Sequence, residues 1–524
     1  MGHPVDTGKT RFGIELIKEA IGKKGILPER ILYASFTRAA SYEARRRAME
    51  SYPDFGEDRF PYFRTIHSIA FQLLNLNRHA MFDGRRLRDF ADTFKYKFSD
   101  DALDKDLFKQ DLIDMVLGTE ADAYLAFDEW RKNRLILDID DAIRQFRRKQ
   151  SELPRGFNER ALKLFLERKE EYKRSQGLWE FSDLLLKVYL DEIPLDVDFV
   201  VIDETQDNSP LLHAVAEIWS RNAKEVYLIG DPDQSIYTFM GADPSIMIDW
   251  KRNEDIVLRQ SHRCSKAVHD LSRRVVERMR LRYHSDFIPT GTDGSVSRVS
   301  LYNLNLDGDG TTYCLFRTRY LMDNFIEYLL AKGVPFSTKR GDYSPIDKGE
   351  SGAVYLLHRL ANGGSITIQE LHKLVKYIPQ EPYLKRGAKT DIADRARDNP
   401  KHKISVVSLS ALGFTPEFIH LLDNGEYVES LKINSNEKRY YRIILSKYGV
   451  QALIDKPKIE VGTIHSVKGL ESDRVVLSPE LTRLPYENLI QNPDEEHRVI
   501  YVGITRARDE VQILLPEHWR SYPL

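Results

Sequence analysis

Residues 195–207 read LDVDFVVIDETQD. The run Phe199-Val200-Val201-Ile202 is apolar without alternation and ends in Asp203 and Glu204. A strand that is apolar at every position is buried on both faces, the situation of a parallel strand covered by helices on either side. Carboxylates at its carboxyl end stand where such sheets carry their chemistry. KEVYLIGD at 224–231 has the same form: a buried run closing on an acid.

Working outward, the rhythm of helix and strand continues on both sides. KTRFGIELIKEAIG (9–22) has apolar residues at helical spacing and closes on Gly22. RILYASF (30–36) is rich in strand formers, and TRAASYEARRRAME (37–50) returns to a helical pattern. Alternation of this kind predicts a parallel sheet with helices on both faces. From 73 to 178 the character changes to polar helices with aromatic and leucine positions, such as FADTFKYKFSDD (90–101), DAIRQFRRKQSELP (141–154) and ALKLFLERKEEYKRSQ (161–176). A second α/β section starts near 258. It has a strand at TTYCLFRTR (311–319), a helix at YLMDNFIEYLLAKG (320–333) and a strand at VPFST (334–338). Residues 345–455 interrupt it, and the pattern resumes at 458–480 and 497–516. No short-period repeat or low-complexity tract is present.

The totals bound what this fold can do. A chain of 524 residues exceeds one core and predicts three or four domains. With 42% apolar and 30% charged residues it is expected to fold and dissolve. A net charge of −2 gives no global field for polyanions, so any nucleic-acid surface must be local. Basic clusters occur at Arg45-Arg46-Arg47, at Arg85-Arg86 with Arg88, at Arg147-Arg148-Lys149, and at Arg273-Arg274 with Arg278, Arg280 and Arg282. Taken singly, each reads as a solvated helix face. Cys264 and Cys314, the two cysteines, cannot form a framework of bridges or a zinc site, which predicts a reducing compartment. No apolar stretch approaches membrane-spanning length and no signal peptide is visible, so the expected location is the cytoplasm, for a cellular protein or a viral one acting there.

Several strings carry chemistry. Gly8-Lys9-Thr10 closes a loop of the G-x-x-x-x-G-K-[ST] kind, which wraps backbone N–H groups around phosphates and offers a lysine and a hydroxyl. His3 occupies the place of its first glycine, and no strand precedes it in this chain. Asp203 and Glu204 fit a pair in which one carboxylate supports Mg²⁺ and the other orients the attacking water; an ordinary acidic turn would look the same. Gln234 follows the second buried strand, where its amide could sense a γ-phosphate, and Tyr237 and Phe239 beside it could stack on bases or simply fill a core.

Together these strings resemble the superfamily 1 helicases of the UvrD/Rep/PcrA type. The matching stretches run in the family's order: HPVDTGKT, SFTRAASYEARRR, FRTIHSIAFQLL, FSDLLLKVYL with VVIDETQD, IGDPDQSIYTFMGA, LRQSHRC, CLFRTR, VGTIHSVKGLESDRVVL and EEHRVIYVGITRAR. They span both α/β cores and are weak in the two insertions.

The resemblance implies an α/β fold of two RecA-like parallel-sheet motor domains, each with a mainly helical insertion. The first motor domain would hold 1–72 and 179–260, with insertion 73–178. The second would hold 261–344 and 456–524, with insertion 345–455. It implies an ATP- and Mg²⁺-dependent helicase that travels on single-stranded DNA, 3′ to 5′ by family precedent, and unwinds duplex as ATP closes the two domains.

Roles follow position by position. Pro4, Val5, Asp6, Thr7, Gly8 and Lys9 would form the phosphate loop, with Thr10 and Asp203 on Mg²⁺. Glu204 would orient water and Gln234 would couple γ-phosphate to DNA. Arg263 and Arg506 would reach the γ-phosphate from the second core, a task suited to a planar, permanently charged fork. His262 would lie against the base, and Gly469 and Glu471 would meet the nucleotide sugar. Thr37, Arg38, Thr65, His67, Tyr237, Phe239, Arg317, Thr463 and His465 would face the DNA strand. Implied partners are single-stranded DNA, single/double-strand junctions and proteins of repair, replication or recombination, without a membrane.

Four departures stand out. His3 and Asp6 replace small residues in the phosphate loop, where a carboxylate would oppose phosphate by roughly 1 kcal/mol and glycine's freedom is lost. No residue ahead of Met1 supplies a first strand or an adenine-reading glutamine, so either the chain given begins late or adenine recognition is weakened. His262 replaces a stacking tyrosine, and Met240 replaces an arginine. Two other readings stay open: a DNA-binding scaffold that has lost hydrolysis, and an RNA-directed motor. A nuclease fusion is not expected, because no acidic cluster follows the last motif.

Overall fold

A computed structural model of the chain describes residues 8–35, 38–99, 102–103, 118–149, 158–283, 286–338 and 349–524. The chain divides into two compact units, Met1–Asp293 with Glu487–Thr505 and Gly294–Tyr486 with Arg506–Leu524. The fold is α/β, with a parallel sheet in each unit. The segments 261–293 and 487–505, both expected with the second core, group with the first, because helix Lys266–Val276 packs on helix Pro493–Ile504 and that helix packs on the turn Pro232–Gln234.

The first unit is built on β1 (Ile31–Ala34), β2 (Phe63–Arg64), β3 (Phe199–Ile202) and β4 (Glu225–Leu228). They pair in parallel in the order β2-β1-β3-β4. Successive side chains of a strand face opposite ways. Leu32, Ala34, Val200 and Ile202 therefore enter one apolar cluster, with Ile66, Leu184 and Leu211. Ile31, Tyr33, Phe199 and Val201 enter another, with Ile14, Ile17 and Phe63. This two-sided burial is why the strands read as unbroken apolar runs. Helix Lys9–Gly22 lies on the second face and ends where predicted; a Cβ at Gly22 would meet the Tyr52 hydroxyl at 2.6 Å.

The polar helices after residue 73 form a separate core around Phe90, Phe127, Trp130, Phe146 and Phe165. Helices Gly84–Phe94, Glu120–Asn133, Ile139–Lys149 and Glu159–Gln176 contribute to it. The helical reading of 90–101 is corrected: the helix stops at Phe94, because Lys95 turns to φ 61°. Helices Glu120–Asn133 and Glu159–Gln176 reach helix Phe181–Leu190 through a buried ionic cluster, in which Lys132, Lys169 and Lys173 surround Asp128 and Glu180.

In the second unit β5 (Ser295–Val299), β6 (Thr312–Phe316), β7 (Phe336–Thr338), β10 (Ile459–Thr463), β11 (Ser472–Leu477) and β12 (Ala507–Leu514) pair in parallel in the order β5-β12-β11-β6-β10-β7. A short antiparallel pair, β8 (Ile366–Thr367) and β9 (Lys403–Ile404), sits among the helices of the insertion. Here the insertion is not separate: Val354, Leu371, Ile392, Phe418 and Tyr440 share one apolar cluster with Cys314, Phe316, Ile459 and Val461 of the sheet. Cys264 and Cys314 are both buried. No helix among the described residues is long and apolar enough to cross a membrane.

Candidate nucleotide site and strand-end constellation

The carboxyl ends of β3 and β4 converge on one group of acids. The Asp203 N–H donates to the Ala34 carbonyl at 2.7 Å, which continues the sheet one residue past β3. Its side chain is 1% exposed and accepts from the Tyr33 hydroxyl at 2.8 Å and from the Glu204 N–H at 2.9 Å. Burial, then the neighbouring Glu204 charge, pushes the Asp203 carboxyl up to about 6, against the pull of Tyr33 and of the Lys9 ammonium. Burial also drives the Tyr33 hydroxyl well above its usual range, as does Asp203.

Glu204 sits at φ 56°, in the left-handed region, as a non-glycine residue. Such a backbone costs on the order of 1–3 kcal/mol and collects at functional sites, where surrounding bonds enforce it. The enforcing residue is Gln206. Its amide nitrogen donates to the Glu204 carboxylate, and its amide oxygen accepts from the Asp231 N–H at 2.9 Å. A Cβ at Gly230 would stand 2.3 Å from that oxygen, so glycine there admits the bridge. Thr205 N–H to the Ile229 carbonyl (3.0 Å) joins the same two loops.

Beyond β4, Asp231 accepts from the Gln234 side-chain amide and from the Asp233 N–H at 3.1 Å. Burial raises the Asp231 carboxyl, opposed first by Lys9. Burial and the Asp231 charge push Asp233 up to about 8, in spite of the Tyr283 N–H bond at 3.2 Å and the charges of Arg498 and Arg282. Lys9 opens helix Lys9–Gly22, with Thr10 beside it, and Gly8 ahead of it takes φ 80°, a conformation that favours glycine. Pro4, Val5, Asp6, Thr7 and Thr37, with the departures at His3 and Asp6, lie outside the described residues.

The structure thus brings Lys9, Asp203, Glu204 and Gln234 together. Sequence reading gave no role to Tyr33, Gln206, Asp231 or Asp233. The two aspartates were visible as acids at a strand end; the other two needed tertiary structure. The donor set fits magnesium, which takes hard oxygens from one or two carboxylates and completes its shell with water and phosphate. Thr10 and Asp203 would hold it.

The string Thr-Ile-His-Ser serves the same backbone purpose in each unit. Thr65 caps helix Ile66–Leu73 by accepting from the Ser68 N–H at 3.3 Å. Thr463 caps the turn after β10 by accepting from the Ser466 N–H, also at 3.3 Å. His67 packs edge-on to Phe181, and burial and the Arg38 charge push its imidazole down to about 3. His465 is buried. Tyr237 and Phe239 lie 6.1 Å apart, and Phe239 packs with Met240 on the helical core. His262 is exposed. Arg263, expected from the second core, lies in the first unit, where its Nη1 donates to the Thr505 carbonyl at 3.2 Å.

Within the second unit Arg317 is buried just beyond β6. Arg506, 1% exposed, donates through Nη1 to the Leu470 carbonyl at 3.2 Å. Gly469 takes φ 79° before it, and Glu471 after it pairs with Arg508. Arg506, Gly469 and Glu471 therefore meet where β11 and β12 begin. The Glu471–Arg508 pair was not legible beforehand.

Known proteins bear on this constellation. Residues 6–255 match the UvrD/REP helicase N-terminal domain, and residues 418–517 match the UvrD-like helicase C-terminal domain. A probable DNA helicase II homolog of Mycoplasma capricolum subsp. capricolum is 23% identical, over 96% of this chain and 80% of that protein. The putative ATP-dependent DNA helicase YjcD of Bacillus subtilis is 21% identical, over 98% of this chain and 76% of its own length. The ATP-dependent DNA helicase PcrA of Leuconostoc citreum is 24% identical, over 61% of this chain and 40% of its own. With the two family domains in order and the acids of β3 and β4 where that family's chemistry was expected, the chain belongs to the UvrD/Rep family of helicases.

Proposed function

We propose that the protein is an ATP- and Mg²⁺-dependent motor that moves along single-stranded DNA, 3′ to 5′, and opens duplex at single/double-strand junctions. The observation that carries this reading is the carboxylate group at the ends of β3 and β4, tied by Gln206 and faced by Lys9. Lys9 and Thr10 take phosphate and Mg²⁺, Asp203 supports the metal, and Glu204 orients water. Gln234, held by Asp231, reports the γ-phosphate to the DNA side. Arg263 and Arg506 supply charge to the same phosphate on closure of two motor domains, and Glu471 takes the sugar. Arg38, Thr65, His67, Tyr237, Phe239, Arg317, Thr463 and His465 line the strand's path, with repair, replication or recombination proteins as partners in the bacterial cytoplasm.

Support for this reading comes from the family match and from the survival of both acids, Gln234 and both arginines in one chain. The departures at His3 and Asp6 favour a second reading, a DNA-binding scaffold without hydrolysis. ATP turnover with and without single-stranded DNA separates the two. Expected is DNA-stimulated turnover that falls by about 100-fold or more in Lys9→Ala and Glu204→Gln. Wild-type turnover no higher than that of the variants defeats the motor.

A further inference from the structure

Helix Pro493–Ile504 carries a buried arginine that the roles above do not use. Arg498 is 3% exposed, and its Nη2 donates to the Leu281 carbonyl at 2.5 Å. Burial lowers its pKa, opposed first by the charge of Asp233 and then by those of Asp494 and Glu495. Asp233 lies between Asp231 and Gln234 in a short turn, and its carboxylate accepts the Tyr283 N–H. One turn ahead of Arg498, Asp494 accepts the N–H groups of Arg280 (3.0 Å) and Leu281 (2.8 Å).

Residues 280–283 are thus stapled between the helix and the Gln234 turn. At its other end the helix runs into Thr505, whose carbonyl takes Arg263, and the next residue in the chain is Arg506. The helix therefore has residues 280–283, and through them the Gln234 turn, bound along its first turns, and Arg263 bound just past its end. An isolated buried guanidinium is costly, and a merely space-filling position would take an apolar residue.

We propose that Arg498 is a positioning residue: through the Leu281 carbonyl, two residues from the Tyr283 N–H that Asp233 accepts, it holds the Gln234 turn against helix Pro493–Ile504, so that the setting of Gln234 depends on Arg498. The proposal rests on the motor reading and adds a residue to it. It predicts epistasis with Gln234, which loss of packing alone would not produce.

The test measures DNA-stimulated ATP turnover of the full chain in the wild type, Arg498→Ala, Gln234→Ala and the double variant, with thermal unfolding of each. Expected is a fall of about tenfold in kcat for Arg498→Ala with KM for ATP within about twofold, and no further fall when it is added to Gln234→Ala. Asp233→Asn and Arg498→Gln, milder changes, repeat the cycle if the alanine variant does not fold. An Arg498 effect of equal size on both backgrounds, or one within about twofold of wild type, overturns the proposal while the motor reading stands. A wild type without DNA-stimulated turnover overturns both.

Discussion

Two groups of buried acids in the first unit have opposite electrostatics. In the helical region Lys169 Nζ lies 2.5 Å from Asp128 and 2.5 Å from Glu180, Lys132 and Lys173 lie 2.7 and 2.8 Å from Glu180, and Arg131 lies 2.6 Å from Asp128. Burial alone would raise both carboxyls, but the ammonium groups outweigh it and hold them below the usual carboxylate range. At the ends of β3 and β4, burial and mutual repulsion win, and Asp203, Asp231 and Asp233 are all raised. The number of local cations decides the sign. Asp128, Glu170 and Glu180 bring oxygens within 4.8 Å of one another, a spacing that would suit a metal, yet lysines fill it. The strand-end group has Lys9 as the cation common to Asp203 and Asp231, and fits an arriving one. The first group fixes structure; the second, in the proposed function, would take the metal.

The largest expected effect breaks the paired group. Lys169→Met leaves two buried carboxylates short of a partner and should lower stability by about 3–5 kcal/mol in urea unfolding; a loss below about 1 kcal/mol would mean that the pairing is immaterial. The next effect is a pH contrast. A carboxyl whose pKa falls on folding stabilises the fold above its unfolded value and loses that contribution as acid takes pH down through the folded value. Asp128 and Glu180 are of this kind. A carboxyl whose pKa rises on folding favours the fold while protonated, and that advantage is lost as pH climbs from the unfolded value through the folded one. Asp203 (about 6) and Asp233 (about 8) are of this kind. Asp203→Asn should therefore stabilise the ligand-free protein by about 1–3 kcal/mol at about pH 8 and change it little at about pH 4. Equal effects at both pH values would remove the contrast. The smallest effect concerns the shared caps: Thr65→Val and Thr463→Val should each cost about 1 kcal/mol in thermal unfolding, and a null result at either would assign that threonine away from the backbone.

Much of this was legible in the sequence, for identifiable reasons. β3, β6 and helix Lys9–Gly22 fall where periodicity put them, because each buries a face that dictates its pattern. β2 has two residues and β5 is mostly exposed, so neither carries an apolar signature. Helix Gly84–Phe94 ends at a lysine in a left-handed turn, a stop that propensity does not announce. Residues 261–293 lie between motifs of both cores, and contact with a helix more than 200 residues away sets their unit. At the site the strand-end acids were visible as charges after apolar runs. Gln206 and Arg498 were not, because a glutamine bridge and a buried arginine acquire meaning only from partners distant in the chain.

Burial and the Glu204 charge oppose ionisation of Asp203, and in the proposed function a magnesium–nucleotide complex would favour it. The most direct measurement is calorimetric titration of the magnesium complex of a non-hydrolysable ATP analogue, at about pH 6.5 in buffers of different ionisation enthalpy, for the wild type and Asp203→Asn. A carboxyl with a pKa of about 6 is partly protonated there. Binding to the wild type should release protons, and the variant should release measurably fewer. Equal release by the two proteins, or none by either while the complex still binds, would contradict the central claim.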